Sequence, residues 1–336
     1  MKAVCCSKYG SPDFLVIRDV AKPAIRNNEL LVKVHAVSIN SYDYRIMSGK
    51  PFLVRMNAGL FSPGKRILGV DFAGTVEAIG DAVSKFTVGD RVYGCLADGS
   101  GDSAWAEYVR VKESVAAAIP SETTFVQAAA LPMAAVTALQ GLRDVGGIQP
   151  GSKVLVNGAS GGVGTFAVQI AKAMGAEVTG VCSAKNMEMV RSIGADAVIN
   201  YDTENFAKND KQYDLILDVA ANHTLEDYHH VLKSNGTCAV VGFSGMGLVA
   251  KILLFGSRTA KKDGKRIRMV MANNTRGQDL EFLNTMLESG KVKPVIDGCY
   301  PLADVKTALS YFEKEHAKGK VAVEIIESTR CSPTSH

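Results

Sequence analysis

Apolar spacing divides the chain into stretches of different period. Over residues 1–120 the apolar or alternating runs Leu15–Val20, Glu29–Ile39, Val70–Ile79, Arg91–Leu96 and Trp105–Val111 are separated by glycine, proline and polar turns, which predicts strands. Glycine recurs where such strands must bend, at Gly69, Gly74, Gly80 and Gly89, as it does where small barrels turn corners. Lys50–Arg66 reads as a long, partly apolar, proline-bearing loop, of the kind that lies over a site. From Thr123 the period changes. Phe125–Ala130 and Ala134–Leu142 read as helices, with Pro132 near their boundary. Strand patterns at Val154–Asn157, Glu177–Cys182, Ala197–Asn200, Leu215–Val219, Thr237–Val241 and Ile267–Met271 then alternate with helical ones, which predicts a doubly wound parallel sheet. Beyond Met271 come a helix over Leu280–Leu287, a strand near Val295–Cys299, a helix from Asp304 and a strand Lys320–Ile325. These are expected to return to the first domain. The division is therefore 1–123 with 273–336, and 124–272, followed by a polar, frayed tail at Ser328–His336.

The most informative junction of strand and helix patterns is Lys153–Lys172. A β-branched run ends in glycines, and Val163, Phe166, Ala167, Ile170 and Ala171 then follow the spacing of one helix face. Glycines admit a pyrophosphate close to the backbone, and the unpaired N–H groups of a helix start stabilise its charge. Gly158, Gly161 and Gly164 give G-x-x-G-x-x-G, a departure from the usual dinucleotide fingerprint. Bounded by strand and helix, the turn still predicts a dinucleotide site, with Ser160, Gly162 and Val163 inside it.

Composition changes little. The chain has 336 residues, 47% hydrophobic and 21% charged, which suits an ordinary globular protein of two domains. A net charge of +4 is too small to argue for nucleic acid. No apolar run spans a bilayer. The start enters a strand-like Met1–Cys6 directly, so a cytoplasmic location is the default expectation. Seven scattered cysteines with no C-x-x-C pair fit reduced core thiols rather than disulfides or a zinc knot.

The second strand of a dinucleotide domain ends in Asp or Glu when it holds the ribose of NAD. Here it ends Gly180-Val-Cys-Ser183-Ala-Lys185, with no acid at the tip. A hydroxyl and an ammonium suit the 2′-phosphate of NADP, which a carboxylate would repel. Ser183 also reads as a helix N-cap with Lys185 solvated beside it, and the two readings are compatible.

The whole-length pattern resembles the medium-chain dehydrogenase/reductase superfamily, in its quinone oxidoreductase (zeta-crystallin-like) and enone reductase branch. The marks are Ala36–Gly49, Gly69–Gly74, Leu131–Ala138 and the glycine turn, with Gly194-Ala195-Asp196, Ile199–Tyr201, Val241-Gly242-Phe243 and Gly319-Lys320-Val321. The resemblance implies an α/β protein with a GroES-like β-barrel catalytic domain and a Rossmann NADP-binding domain. It also implies a homodimer, expected through the edge strand Ile267–Met271. Alcohol dehydrogenases of this superfamily hold a catalytic zinc with a Cys, a Gly-His-Glu segment and a second Cys. This chain has Asn40 in the first of these segments and Val70-Asp71 in place of His-Glu. A catalytic zinc needs three protein ligands and an open position, so no metal is expected. The adjacent His229 and His230 read as solvated.

Without a metal, hydride transfer suits an acceptor that is already electrophilic, a quinone or an α,β-unsaturated carbonyl. The expected activity is therefore that of an NADPH-dependent quinone or enone reductase. By the resemblance, Asn40 and Asp43 lie at the nicotinamide and substrate cleft and Thr137 beside the nicotinamide. Arg45 replaces a Tyr of quinone reductases or a Lys of enone reductases, where a guanidinium stabilises a developing enolate and Tyr42 or Tyr44 relays the proton. Arg45 also fits a surface position on a short amphipathic helix, and Asp43 a capping or pairing role. Cofactor contacts carry over to Gly161, Gly162, Val163, Ser183, Lys185, Tyr201 and Phe243, with Asn273 and Asn274 toward the carboxamide. Tyr201 equally suits a structural place at a strand end.

One stretch stands apart. The apolar Leu248–Phe255 precedes the basic run Arg258–Arg268. The pair reads as a lid helix with a solvated turn, or as a surface for RNA or an anionic membrane. The alternatives to a reductase are thus an NADPH-binding interaction protein and a zinc-type alcohol dehydrogenase.

Overall fold

Glu29–Ile39, buried at every position but Lys33 and His35, is the longest strand among the described residues and the spine of the first half of the chain. A computed structural model describes residues 1–63, 67–97, 103–242, 252, 263–270, 277–314 and 317–326. In chain order the strands are β1 (Lys2–Cys6), β2 (Leu15–Asp19), β3 (Glu29–Ile39), β4 (Asp71–Ile79), β5 (Arg91–Cys95), β6 (Tyr108–Lys112), β7 (Ala116–Ala118), β8 (Lys153–Asn157), β9 (Glu177–Cys182), β10 (Ala197–Asn200), β11 (Tyr213–Asp218), β12 (Leu232–Val241), β13 (Arg266–Val270), β14 (Ile296–Pro301) and β15 (Lys320–Glu324). The chain divides into two compact units, 1–133 with 273–288 and 296–336, and 134–272 with 289–295.

In the first unit the sheet order is β14-β15-β3-β4-β5-β7, with β6 pairing the other end of β3 and with β1 and β2 forming a separate antiparallel pair. Strand β3 thus pairs antiparallel with β4, β6 and the C-terminal β15. That sharing explains its burial at all but two positions. The core gathers Leu30, Val32, Val37 and Ile39 with Phe72, Trp105, Leu309 and Val323. Helix α1 (Ser41–Ser48) follows β3 after the single residue Asn40, and Gly49 closes it in the left-handed region at φ 65°. Lys50–Arg66, expected as a loop, contains a helical turn, α2 (Leu53–Ala58). Helix α3 (Phe125–Ala129) stays with this unit. Its Phe125 ring stacks on His35 of β3 at 4.1 Å, which keeps the segment after residue 123 on the β3 sheet.

The chain passes to the second unit within α4 (Pro132–Gln140), where Pro132 is the first helical residue. Its sheet is parallel throughout, in the order β10-β9-β8-β11-β12-β13. The order reverses direction beside β8, which puts the β8 turn at the switch point of a doubly wound sheet. Helices α5 (Gly162–Ala173), α6 (Met187–Ser192) and α7 (Leu225–Val231) connect the strands. Strand β12 begins at Leu232, five residues before the expected Thr237, through Lys233–Gly236 that carry no apolar signal. Helices α8 (Gly277–Glu288) and α9 (Val305–Lys314) belong to the first unit. Leu248–Phe255 apart from Ile252, Arg258–Lys262, Phe243, Asn273, Asn274 and the tail Ser328–His336 lie outside the described residues.

Candidate active site

In the second unit, β8 delivers the chain into the glycine turn with Gly158 at φ 84°, a region open to glycine without cost. Gly164 serves packing: a Cβ there would meet the Gly158 carbonyl oxygen at 2.0 Å, so the first turn of α5 lies directly against the end of β8. Gly161, by contrast, has open space where a side chain would be, with its nearest neighbour at 3.6 Å. Gly161 is the N-cap of α5 and offers no side-chain oxygen to the N–H groups that follow. Those donors face a place where backbone and ligand can approach closely.

The turn is braced from behind. Asn157 Nδ2 donates to Asp218 Oδ1 and to Asn222 Oδ1, each at 3.0 Å. Asp218 also accepts the Ala220 and Ala221 N–H groups and the Tyr228 hydroxyl, which holds Ala221 at φ 51°. Burial raises the Asp218 pKa above the usual carboxylate range, with these donors and His223 opposing. Asn186, three residues past Ser183, is 3% exposed and donates from Nδ2 to Ser160 Oγ at 3.1 Å. Its Oδ1 is buried without a partner. Neither Asn186 nor Asn222 stood out in the sequence, because a polar residue in a glycine-rich or capping segment looks like turn chemistry.

Ser183 is the N-cap of a short 3-10 turn but its hydroxyl caps nothing, and Lys185 is exposed. The end of β9 thus presents a hydroxyl and an ammonium with no carboxylate between Gly180 and Met187. The residues fit NADP: the bare helix start for the pyrophosphate, and Ser183 and Lys185 for the 2′-phosphate. Thr137 is buried on α4, while Tyr201 is 59% exposed on the turn after β10.

In the first unit, the β3–α1 junction carries a buried polar cluster. Asp71, fully buried at the start of β4, accepts from Ser38 Oγ and Asn40 Nδ2 on Oδ2, each at 2.8 Å, and from the Met133 N–H on Oδ1 at 3.0 Å. Lys320 of β15 reaches in from the C-terminal strand. Its Nζ donates to Asn40 Oδ1 at 2.5 Å and to the Ile39 carbonyl at 3.0 Å, and lies 3.8 Å from Asp71 Oδ2. Asp43, also buried, accepts the Asn40 N–H at 2.9 Å in the reciprocal arm of a capping box. Burial, then the Asp71 charge, pushes Asp43 up to about 7, with Asn40 and Lys320 opposing. Burial lowers the Lys320 pKa against the pull of Asp71, Asp43 and Cys95.

The expected catalytic residues therefore separate. Asn40 and Asp43 are held within the buried network. The Tyr44 hydroxyl donates to the Glu313 carboxylate of α9. Desolvation, then that bond and that charge, push its pKa to about 12. Tyr42 is 43% exposed on the same helix, and Arg45 is partly buried, with its pKa lowered by desolvation. Lys320 carries no sequence signal beyond the Gly-Lys-Val motif, because its partners lie 280 residues away.

Two family descriptions match: "Alcohol dehydrogenase GroES-like domain" over residues 26–121, and "Zinc-binding dehydrogenase" over 193–323. The chain is 34% identical to the 2-methylene-furan-3-one reductase of Solanum lycopersicum, over 97% of this chain and 79% of that protein. It is 33% identical to the chloroplastic NADPH-dependent alkenal/one oxidoreductase of Arabidopsis thaliana, over 96% and 79%. The solved quinone oxidoreductase of Coxiella burnetii superposes with a TM-score of 0.83 at 29% identity, covering 97% of this chain and 99% of that one.

A zinc does not fit the place where alcohol dehydrogenases of this fold hold one. The Asp71 carboxylate is engaged on both oxygens, the adjacent Val70 has no donor atom, and the Asn40 carbonyl accepts from an ammonium. A dication there would face the fixed charge of Lys320. Among the described residues no three His, Cys, Asp or Glu side chains are grouped to bind a metal.

Proposed function

The chain belongs to the medium-chain dehydrogenase/reductase superfamily, among its quinone and enone oxidoreductases, and on that basis we propose that it transfers hydride from NADPH to a quinone or an α,β-unsaturated carbonyl without a metal. The observation that carries the reading is the pairing of a bare phosphate turn at Gly161–Gly164 with an acid-free, lysine-bearing end of β9. NADPH supplies the hydride. The chain's own residues bind and orient it: backbone N–H groups at Gly162 and Val163 take the pyrophosphate, Ser160 is held by Asn186, and Ser183 and Lys185 take the 2′-phosphate.

On the acceptor side the charge that develops is an enolate or hydroquinone oxygen. We assign its stabilisation to Arg45 and its protonation to Tyr42, the tyrosine of α1 whose hydroxyl is not the one bound to Glu313. Asn40 and Asp43 hold the start of α1. The relatives' printed activities, on furanone and alkenal acceptors, support an electrophilic carbonyl substrate. The test is a screen of quinones against short and long enones at fixed NADPH, followed at the cofactor's absorbance. Absence of turnover across the panel, or a strong preference for NADH, overturns the reading.

The other candidate surface, Arg258–Arg268, is described only from Asp263. There Lys265 Nζ lies 3.3 Å from Asp263 and donates to the His229 carbonyl, so that cation is engaged locally. Among the described residues no helix is long and apolar enough to cross a membrane. A homodimer joined along β13, the edge of its sheet, and a cytoplasmic location complete the proposal.

A further inference from the structure

Lys320 opens β15 and is 3% exposed, a setting in which an ammonium is costly unless its donors are matched. Two of its bonds land on consecutive residues, the Ile39 carbonyl and the Asn40 side-chain carbonyl. Those residues are the last of β3 and the N-cap of α1. The Asn40 amide is therefore keyed by opposite charges. Its oxygen faces the Lys320 ammonium and its nitrogen donates to the Asp71 carboxylate. A flipped amide would set N–H against N–H and oxygen against oxygen. The Asn40 backbone N–H is bound in turn by Asp43. The first turn of α1 is thus tied to β4 through Asp71, to β15 through Lys320 and to itself through Asp43. Groups facing the ammonium are Asp71 from β4, Asp43 from α1 and Cys95 from β5.

We propose that Lys320 is a positioning residue of the reductase reaction, an internal cation that locks the Ile39–Asn40 junction and so sets the direction of α1 with Tyr42 and Arg45. It touches neither acceptor nor cofactor in this role, which rests on the reductase reading. Placement errors of about 1 Å at a reacting group reduce turnover by about a hundredfold, so a loosened junction is read out in kcat.

The experiment compares wild type with Lys320→Met, Lys320→Arg and the double variant Lys320→Met/Asp71→Asn, each assayed for NADPH affinity by fluorescence, for steady-state turnover and for thermal melting. Lys320→Met leaves a buried carboxylate unpaired and is expected to melt early. The double variant removes both charges and is expected to regain much of the melting temperature. Its kcat is expected to stay between about tenfold and a hundredfold low, with NADPH affinity unchanged and the KM of the acceptor little altered. Lys320→Arg, which keeps the charge, is expected to fall between wild type and the double variant in kcat. A double variant that regains kcat together with melting temperature overturns the proposal, because Lys320 then only balances charge. Wild-type protein that fails to oxidise NADPH with every quinone and enone tried overturns the reductase reading and this role with it. An active wild type whose variants keep its kcat overturns the role alone.

Discussion

Tyr44 donates its phenolic hydrogen to the Glu313 carboxylate, so α1 is fastened to α9 at its second tyrosine and not at its first, Tyr42. Two residues, roughly half a helical turn, separate the phenol bound to Glu313 from the one proposed to relay the proton. Tyr44→Phe is expected to cost no more than about 1 kcal/mol of stability and to leave kcat within a few-fold of wild type. Tyr42→Phe is expected to lower kcat with little change in melting temperature. Steady-state kinetics on the two variants decide the assignment, and a larger loss of kcat in Tyr44→Phe would reverse it.

Glu313→Gln removes a charge and an ionic acceptor from the Tyr44 hydroxyl. The phenol is expected to titrate below its present value of about 12, while the desolvation that contributes most to the shift persists. Ultraviolet phenolate titration of the variant against wild type reads the change.

Gly164→Ala places a methyl 2.0 Å from the Gly158 carbonyl, and backbone cannot yield as a side-chain tip does. The variant is expected to lose about 1–3 kcal/mol of stability and to bind NADPH more weakly, because α5 moves away from the turn. Calorimetry and fluorescence titration check the two effects. Gly161→Ala, which meets no neighbour closer than 3.6 Å, is expected to keep stability and lose affinity alone.

Lys185→Glu reverses the charge offered to a 2′-phosphate. Loss of a charge-assisted hydrogen bond of about 1.5–3 kcal/mol corresponds to roughly ten- to a hundredfold weaker NADPH binding, with NADH little affected. Equal weakening of both cofactors would remove Lys185 from the site.

Asp43 ties stability to pH with a definite sign. Its folded pKa of about 7 exceeds the ordinary value of 3.8, so the folded chain holds this proton more tightly than the unfolded one. The resulting contribution is complete below the ordinary value and is lost as pH rises to about 7. Asp43→Asn keeps an acceptor for the Asn40 N–H and removes the titration. Its melting temperature relative to wild type is expected to rise between pH 5 and about 8; a constant difference across that range would place the Asp43 titration elsewhere.

The glycine turn was legible because strand, glycines and helix follow one another within twenty residues, and local geometry alone dictates that order. The acid-free end of β9 was legible for the same reason. Boundaries were harder where burial, not pattern, extends an element. The strand was expected from Thr237, yet the strand beside β11 and β13 begins at Leu232. The helical turn Leu53–Ala58 was read as loop because Pro51 and Gly59 flank so short a run.

Apolar period, glycine spacing and the charge at one strand end determined from the sequence alone that this chain would build a barrel-type unit and a doubly wound dinucleotide unit, and that its cofactor carries a 2′-phosphate. These are local quantities, fixed by residues a few positions apart. The tertiary structure decided which polar residues are tied into the fold. Asn40 acquires its partners Asp71 and Lys320, and Tyr44 its partner Glu313, only when β4, β15 and α9 close around β3, and a buried charge takes its meaning from the groups that surround it.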